Sequence, residues 1–92
     1  MGLLSNEVIT NYLRELPGWS FKKKSLVKEY TFDSYMKGIT FVNHVAEKAE
    51  GHNHHPDLEI GWCRVGVTLT SHDAGGVTDR DIRMAKAVEE LL

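Results

Sequence analysis

Val8, Ile9, Tyr12, Leu13 and Leu16 recur at the three- and four-residue spacing of one helical face. Ser5 ahead of them suits a helix N-cap, and Pro17-Gly18 ends the run, which predicts a helix over residues 6–16. The period then drops to two. Trp19-Ser20-Phe21 opens a strand, Lys23-Lys24-Ser25 reads as a turn, and Leu26, Lys28, Tyr30 and Phe32 alternate with Val27, Glu29 and Thr31 in a second strand. Asp33 can cap the next helix. On it Met36, Ile39, Val42, Val45, Ala46 and Ala49 share a face, with Phe41 offset, which predicts a helix over residues 34–50 stopped by Gly51. Residues 52–57 read as loop. Leu58, Ile60 and Trp62, then Val65, Val67 and Leu69, mark two more strands with a turn near Cys63. Ala74-Gly75-Gly76 is a flexible connection. Thr78, with Asp81 three residues on, is close to a capping box for a last helix carrying Ile82, Ala85, Val88 and Leu92. The order α-β-β-α-β-β-α, with short turns inside each strand pair, predicts a two-layer α+β domain with an antiparallel sheet.

Composition narrows the classes of function. Ninety-two residues suit one domain over 1–92, with 41% hydrophobic and 26% charged residues in the ordinary range. A formal net charge of −2 argues against a general nucleic-acid binder, and Lys22-Lys23-Lys24 is the only basic run. Cys63 is the single cysteine, so no intrachain disulfide can form, which fits a reducing, cytoplasmic setting. The first residues lack the apolar run of a signal peptide, and no stretch approaches the roughly 20 apolar residues of a membrane span.

Chemistry concentrates in Glu50-Gly51-His52-Asn53-His54-His55-Pro56, which holds three of the five histidines beside a carboxylate. Imidazole gives or takes a proton near neutral pH. Pro56 holds His55 toward an extended backbone and stiffens the loop. A metal site is not expected, because His52, His54, His55, His72 and Cys63 offer no i, i+4 pair on a helix and no paired-cysteine motif. Nucleophilic catalysis lacks a placed partner for Cys63, and strand alternation points Ser71 and His72 apart. Acid–base chemistry on a small molecule remains. If the third and fourth strands form a hairpin, His72 leaves the sheet beside the entry of His54 and His55. Glu50 arrives from the second helix and Asp81 from the first turn of the third. A solvated polar loop, and a purely capping role for Asp81, are the competing readings of the residues alone.

The set Glu50, His54-His55-Pro56, Trp62, His72 and Asp81 resembles the pattern of the pterin-4a-carbinolamine dehydratases. Five residues separate Pro56 from Trp62, nine separate Trp62 from His72, and eight separate His72 from Asp81. Thr78-Asp79-Arg80-Asp81-Ile82 resembles the start of that family's last helix, and Leu16-Pro17-Gly18-Trp19 its lead into the first strand. The resemblance runs over nearly the whole chain. It implies a four-stranded antiparallel sheet with helices on one face, and a cytoplasmic homodimer or homotetramer. It implies a hydro-lyase that expels water from a 4a-hydroxy-tetrahydropterin to give the quinonoid dihydropterin, with the pterin as substrate and no cofactor, metal, nucleic acid or membrane. On that resemblance His54, His55 and His72 are the catalytic residues, with His55 principal. Glu50, Trp62, Arg80 and Asp81 bind or orient, Trp62 by walling the cleft. Which pterin is used, and which imidazole is acid or base, stay open. The same resemblance allows a second reading, in which the domain is a non-catalytic dimerisation cofactor for a regulatory protein.

Overall fold

The computed structural model describes residues 2–92. Three helices and four strands follow in the expected order: α1 (Asn6–Leu13), β1 (Ser20–Lys22), β2 (Ser25–Thr31), α2 (Tyr35–His52), β3 (Asp57–Gly61), β4 (Arg64–Leu69) and α3 (Asp79–Glu89). The strands form one antiparallel sheet in the order β1-β2-β4-β3. On β4, Val65, Val67 and Leu69 are buried and alternate with half-exposed Arg64, Gly66 and Thr68, so the helices pack on one face only.

Local chemistry corrects several boundaries. Ser34, not Asp33, caps α2 by accepting from the Lys37 N–H, while Asp33 pairs with the Lys37 ammonium. The buried stripe of α2 is Gly38, Phe41, Val45 and Ala49, so the side chain expected to be offset is at its centre and Met36 is 65% exposed. Gly38 faces the sheet: a Cβ there would meet Phe32 and Val65 at 3.5 Å, an ordinary contact that leaves room for little beyond a methyl group.

Gly51 does not stop α2. The helix continues through His52, which is therefore helical rather than loop, and Asn53 ends it in the left-handed conformation at φ 50°. The His54 N–H donates back to the Ala49 carbonyl at 3.1 Å, the closure expected of a left-handed helix cap. Lys23 and Lys24 also adopt left-handed φ, of 51° and 65°, in a two-residue hairpin turn that Asn-Gly would fill with less strain.

The C-terminus of α3 is tied to the sheet through one carboxylate. Glu89 accepts from the Lys28 ammonium at 2.7 Å, from the Trp19 indole N–H at 3.2 Å and from the Tyr30 hydroxyl. Burial opposes ionisation of Glu89, but these donors outweigh it and hold its pKa below the ordinary value. Burial first, and the carboxylate second, push the Tyr30 hydroxyl well above the usual phenol range. A depressed folded-state pKa stabilises above the unfolded glutamate value, and that contribution is lost as pH falls through the folded one. Glu89→Gln is therefore expected to cost about 2 kcal/mol at neutral pH. It should also flatten the acid limb of a plot of urea midpoint against pH.

Candidate active site

The end of α2 and the extended entry to β3 decide where two adjacent imidazoles go. Successive side chains of an extended segment alternate in direction. His54 turns inward and is only 8% exposed, while His55 turns outward. The His54 Nε2–H donates to Asp81 Oδ1 at 2.6 Å. Asp81 is fully buried, and its other oxygen accepts from the Ser71 hydroxyl and from the Thr78 backbone N–H, both at 2.8 Å. One carboxylate thus closes the capping box of α3 and fixes an imidazole. With Nε2 committed as donor, the second ring nitrogen, Nδ1, carries the lone pair in the neutral ring.

His55 donates from Nε2 to Oε2 of Glu50, three residues before the Asn53 cap. Both groups are open to solvent, with 56% and 77% of their side-chain surfaces exposed. His72 enters from the opposite loop. Ser71 continues the inward alternation of Val65, Val67 and Leu69, so the next residue, His72, is exposed. A bridge between Ser71 and Gly76, and two hydrogen bonds to the Ser71 carbonyl from Ala74 and Gly75, shape this loop. Asp73 pins it to α3 by accepting from Arg80 Nη2 at 2.6 Å. The Arg80 hydrogen bond holds the Asp73 pKa below its ordinary value. Arg80 Nε is buried and has no hydrogen-bond partner among the described residues.

The register places these loops together. Asp57 pairs with Thr68, so the His54-His55-Pro56 approach to β3 and the Ser71-His72 exit from β4 share one end of the sheet. Asp81 joins them physically, bonded to His54 on one side and Ser71 on the other.

Residues 2–91 match the family model described as Pterin 4 alpha carbinolamine dehydratase. The chain belongs to that family. It is 44% identical over 91 residues to a Thermomicrobium roseum protein named "Putative pterin-4-alpha-carbinolamine dehydratase", covering 99% of this chain and 98% of that one. An Aquifex aeolicus protein of the same name is 44% identical over 89 residues, 97% of this chain and 90% of its own. Among solved structures, a transcriptional coactivator/pterin dehydratase from Brucella melitensis superposes with a TM-score of 0.91 at 30% identity, over 96% of both chains. A pterin dehydratase-like protein identified as a RuBisCO assembly factor in the alpha-carboxysome shares the fold, with a TM-score of 0.66 at 24% identity over 79% of this chain and 84% of its own.

Within this chain Trp62 lies away from the histidines that the resemblance has it wall. It occupies the β3–β4 turn, at the end of the strands remote from Asp57 and Thr68, and is 82% exposed. Five residues of β3 put it about 16 Å from the histidine end. The partly buried β3 side chain nearest the histidines is Leu58. Three surface depressions lie away from the histidines. Those of about 420 and 330 Å³ lie over Gly66 and Thr68 on the helix-free face, and one of about 180 Å³ lies between Leu3, Phe21 and Gly76. His55 and His72 are exposed at this end of the sheet, and His54 is buried beside them.

Two positioning residues lay outside the expected set. Ser71 was legible in principle, because the inward parity of β4 extends to it. Asp73 carried no such signal, since its partner is set by the loop's fold. Asp73→Ala is expected to free Arg80 and the His72 loop, and to lower whatever activity the His72 ring supports by up to about 10²-fold, the scale of a misplaced group. Thermal melting should change little, because the pair lies at the surface. Parallel steady-state kinetics and melting curves check both.

Proposed function

We propose that the chain dehydrates a 4a-hydroxy-tetrahydropterin to the quinonoid dihydropterin by imidazole acid–base catalysis. The observation that carries this is the buried link His54–Asp81–Ser71, which locks the loops bearing His54-His55 and His72 to one carboxylate. A structural cap needs only the Thr78 bond of that carboxylate, and the imidazole on its other oxygen goes beyond capping.

The reaction removes a proton from N5 and breaks the C4a–O bond, and the hydroxyl leaves as water with one added proton. No electrons leave the pterin, so the step needs no redox partner. One group must accept the N5 proton and another must protonate the departing oxygen. His54 through Nδ1 and the two exposed imidazoles His55 and His72 supply three candidates at the sheet end. Glu50 orients His55, Asp81 orients His54, and Asp73 with Arg80 steadies the His72 loop. Each positioned acid or base would contribute about 10²–10⁴ in rate.

Stopped-flow mixing with freshly generated 4a-hydroxy-tetrahydropterin tests the reading. Water loss accelerated in proportion to protein concentration supports it, and a rate equal to the buffer blank rejects it. A purely protein-binding role would give the blank rate and leave partner capture intact when His55 and His72 are replaced. No helix among the described residues is long and apolar enough to cross a membrane, and the reading places substrate and enzyme together in the cytoplasm.

A further inference from the structure

The loop that carries His72 is held from two sides. His72 itself is exposed, so its ring takes its place from the backbone beneath it. That backbone is a turn from Ser71 to Gly76 whose ends are bonded to each other. The Ser71 N–H donates to the Gly76 carbonyl at 2.9 Å, and the Gly76 N–H to the Ser71 carbonyl at 3.3 Å. Gly75, at φ 79°, and Gly76 give the turn little stiffness of its own. On the α3 side Ser71 is bonded to Asp81 and Asp73 to Arg80. On the far side stand the segment ahead of α1 and the β1–β2 turn.

We infer that Leu3 is a positioning residue for His72, acting through Gly76. This rests on the pterin reading and adds a residue to it. Leu4 lies one residue before the Ser5 cap and Ile9 at the fourth helical position, the arrangement of a hydrophobic staple, and both join the apolar core. The staple fixes the direction in which the chain enters α1. The Leu4 N–H then donates to the Val77 carbonyl at 3.0 Å, one residue past the turn that carries His72. Leu3 is thereby set down on Gly76. A Cβ at Gly76 would meet Leu3 Cδ2 at 3.0 Å, tighter than ordinary packing, so glycine lets the leucine rest on the backbone. The other neighbour of that position is Lys24, whose Cβ would stand 3.8 Å from it. The Lys24 carbonyl in turn accepts from the Thr70 hydroxyl at 2.9 Å. The closed end of the turn is thus gripped between Leu3 and the β1–β2 turn.

Leu3 serves the turn more than the core. It is 58% exposed, so it removes little apolar surface from water. A depression of about 180 Å³ beside it, bordered by Phe21, Gly75 and Val77, leaves the turn room to shift once the leucine no longer rests on it. A catalytic group misplaced by about 1 Å loses up to about 10² in rate. A contact of small stabilising value can therefore carry a large share of the rate.

Leu3→Ser tests the inference by two independent readouts. The His72 imidazole resonances should shift or broaden while those of His44 on α2 stay in place. Dehydration should lose about 10–10²-fold in kcat, with a thermal midpoint close to wild type. Leu3→Met, which keeps an apolar group over Gly76, should restore most of both. Gly76→Ala displaces the same leucine from below, because the new Cβ meets the flexible end of Leu3 and Gly76 lies outside the left-handed region. The two substitutions break one contact, so the double variant should be no slower than the slower single variant. Unmoved His72 resonances in folded Leu3→Ser overturn the inference, and so does an undiminished kcat where the wild type is active. Additive losses in the double variant contradict the route through Gly76. Displaced His72 resonances, in a protein whose wild type dehydrates no pterin, uphold Leu3 as the positioner of that ring and refute the dehydratase reading.

Discussion

Asp81→Asn should fold and yet lower pterin dehydration by about 10²–10⁴, the range for loss of one positioned acid or base. The size of the effect follows from the two ends of one carboxylate. Oδ2 accepts from the Ser71 hydroxyl and the Thr78 N–H, so an asparagine side chain must place its oxygen there to keep the cap. Its amide nitrogen then faces His54 Nε2, which can no longer donate. The ring is driven to carry its proton on Nδ1, the nitrogen that a substrate would meet. Stability should fall only by about 1–2 kcal/mol, the difference between charged and neutral hydrogen bonds. Kinetics give the loss of rate, and nitrogen-15 shifts of His54 give the change of tautomer. Asp81→Ala would not separate the two, because it opens the capping box and leaves the Ser71 and Thr78 donors buried without an acceptor.

His55→Ala and His72→Ala should each lower kcat by about 10²–10⁴ while the protein remains folded. Both rings are exposed, so neither supports the core, and a thermal midpoint close to wild type is the expected control. The two effects should also be strongly non-additive. Groups that move protons in one elimination act as a unit, and removing the second after the first costs little more. A double variant no slower than the worse single variant is the expected result. Additive losses would mean that the imidazoles serve separate steps. Glu50→Gln should give a smaller version of the His55 effect, through a ring left free to turn.

Periodicity made the architecture legible, since each element rests on a local pattern that survives packing. The alternation of β4 from Val65 to Leu69 and the Thr78–Asp81 capping box are read correctly residue by residue. The rotation of α2, which buries Gly38, Phe41, Val45 and Ala49, was not, because it is set by packing against neighbours remote in sequence such as Phe32 and Val65. Its stop at Asn53 rather than Gly51 has the same character, as glycine is favoured for a left-handed cap but asparagine tolerates it.

Within the site, the convergence of His54, Asp81 and the loop of His72 follows from the hairpin register and is as expected. The resemblance made Trp62 a wall of the cleft, but the turn near Cys63, legible in the sequence, already sets it at the end of the hairpin opposite the histidines. The alternation of Leu58, Ile60 and Trp62 likewise did not reveal that β3 is an edge strand, with Ile60 on it and Trp62 just beyond it exposed.

Imidazole proton–nitrogen spectra of the protein titrated with an unreactive dihydropterin test most directly whether both loops hold one ring. Resonances of His54, His55 and His72 should move together along a single saturation curve, with His44 and His52 on the outer surface of α2 unmoved. Saturable binding that leaves His72 in place while His54 and His55 shift, or that shifts none of the three, would contradict the account.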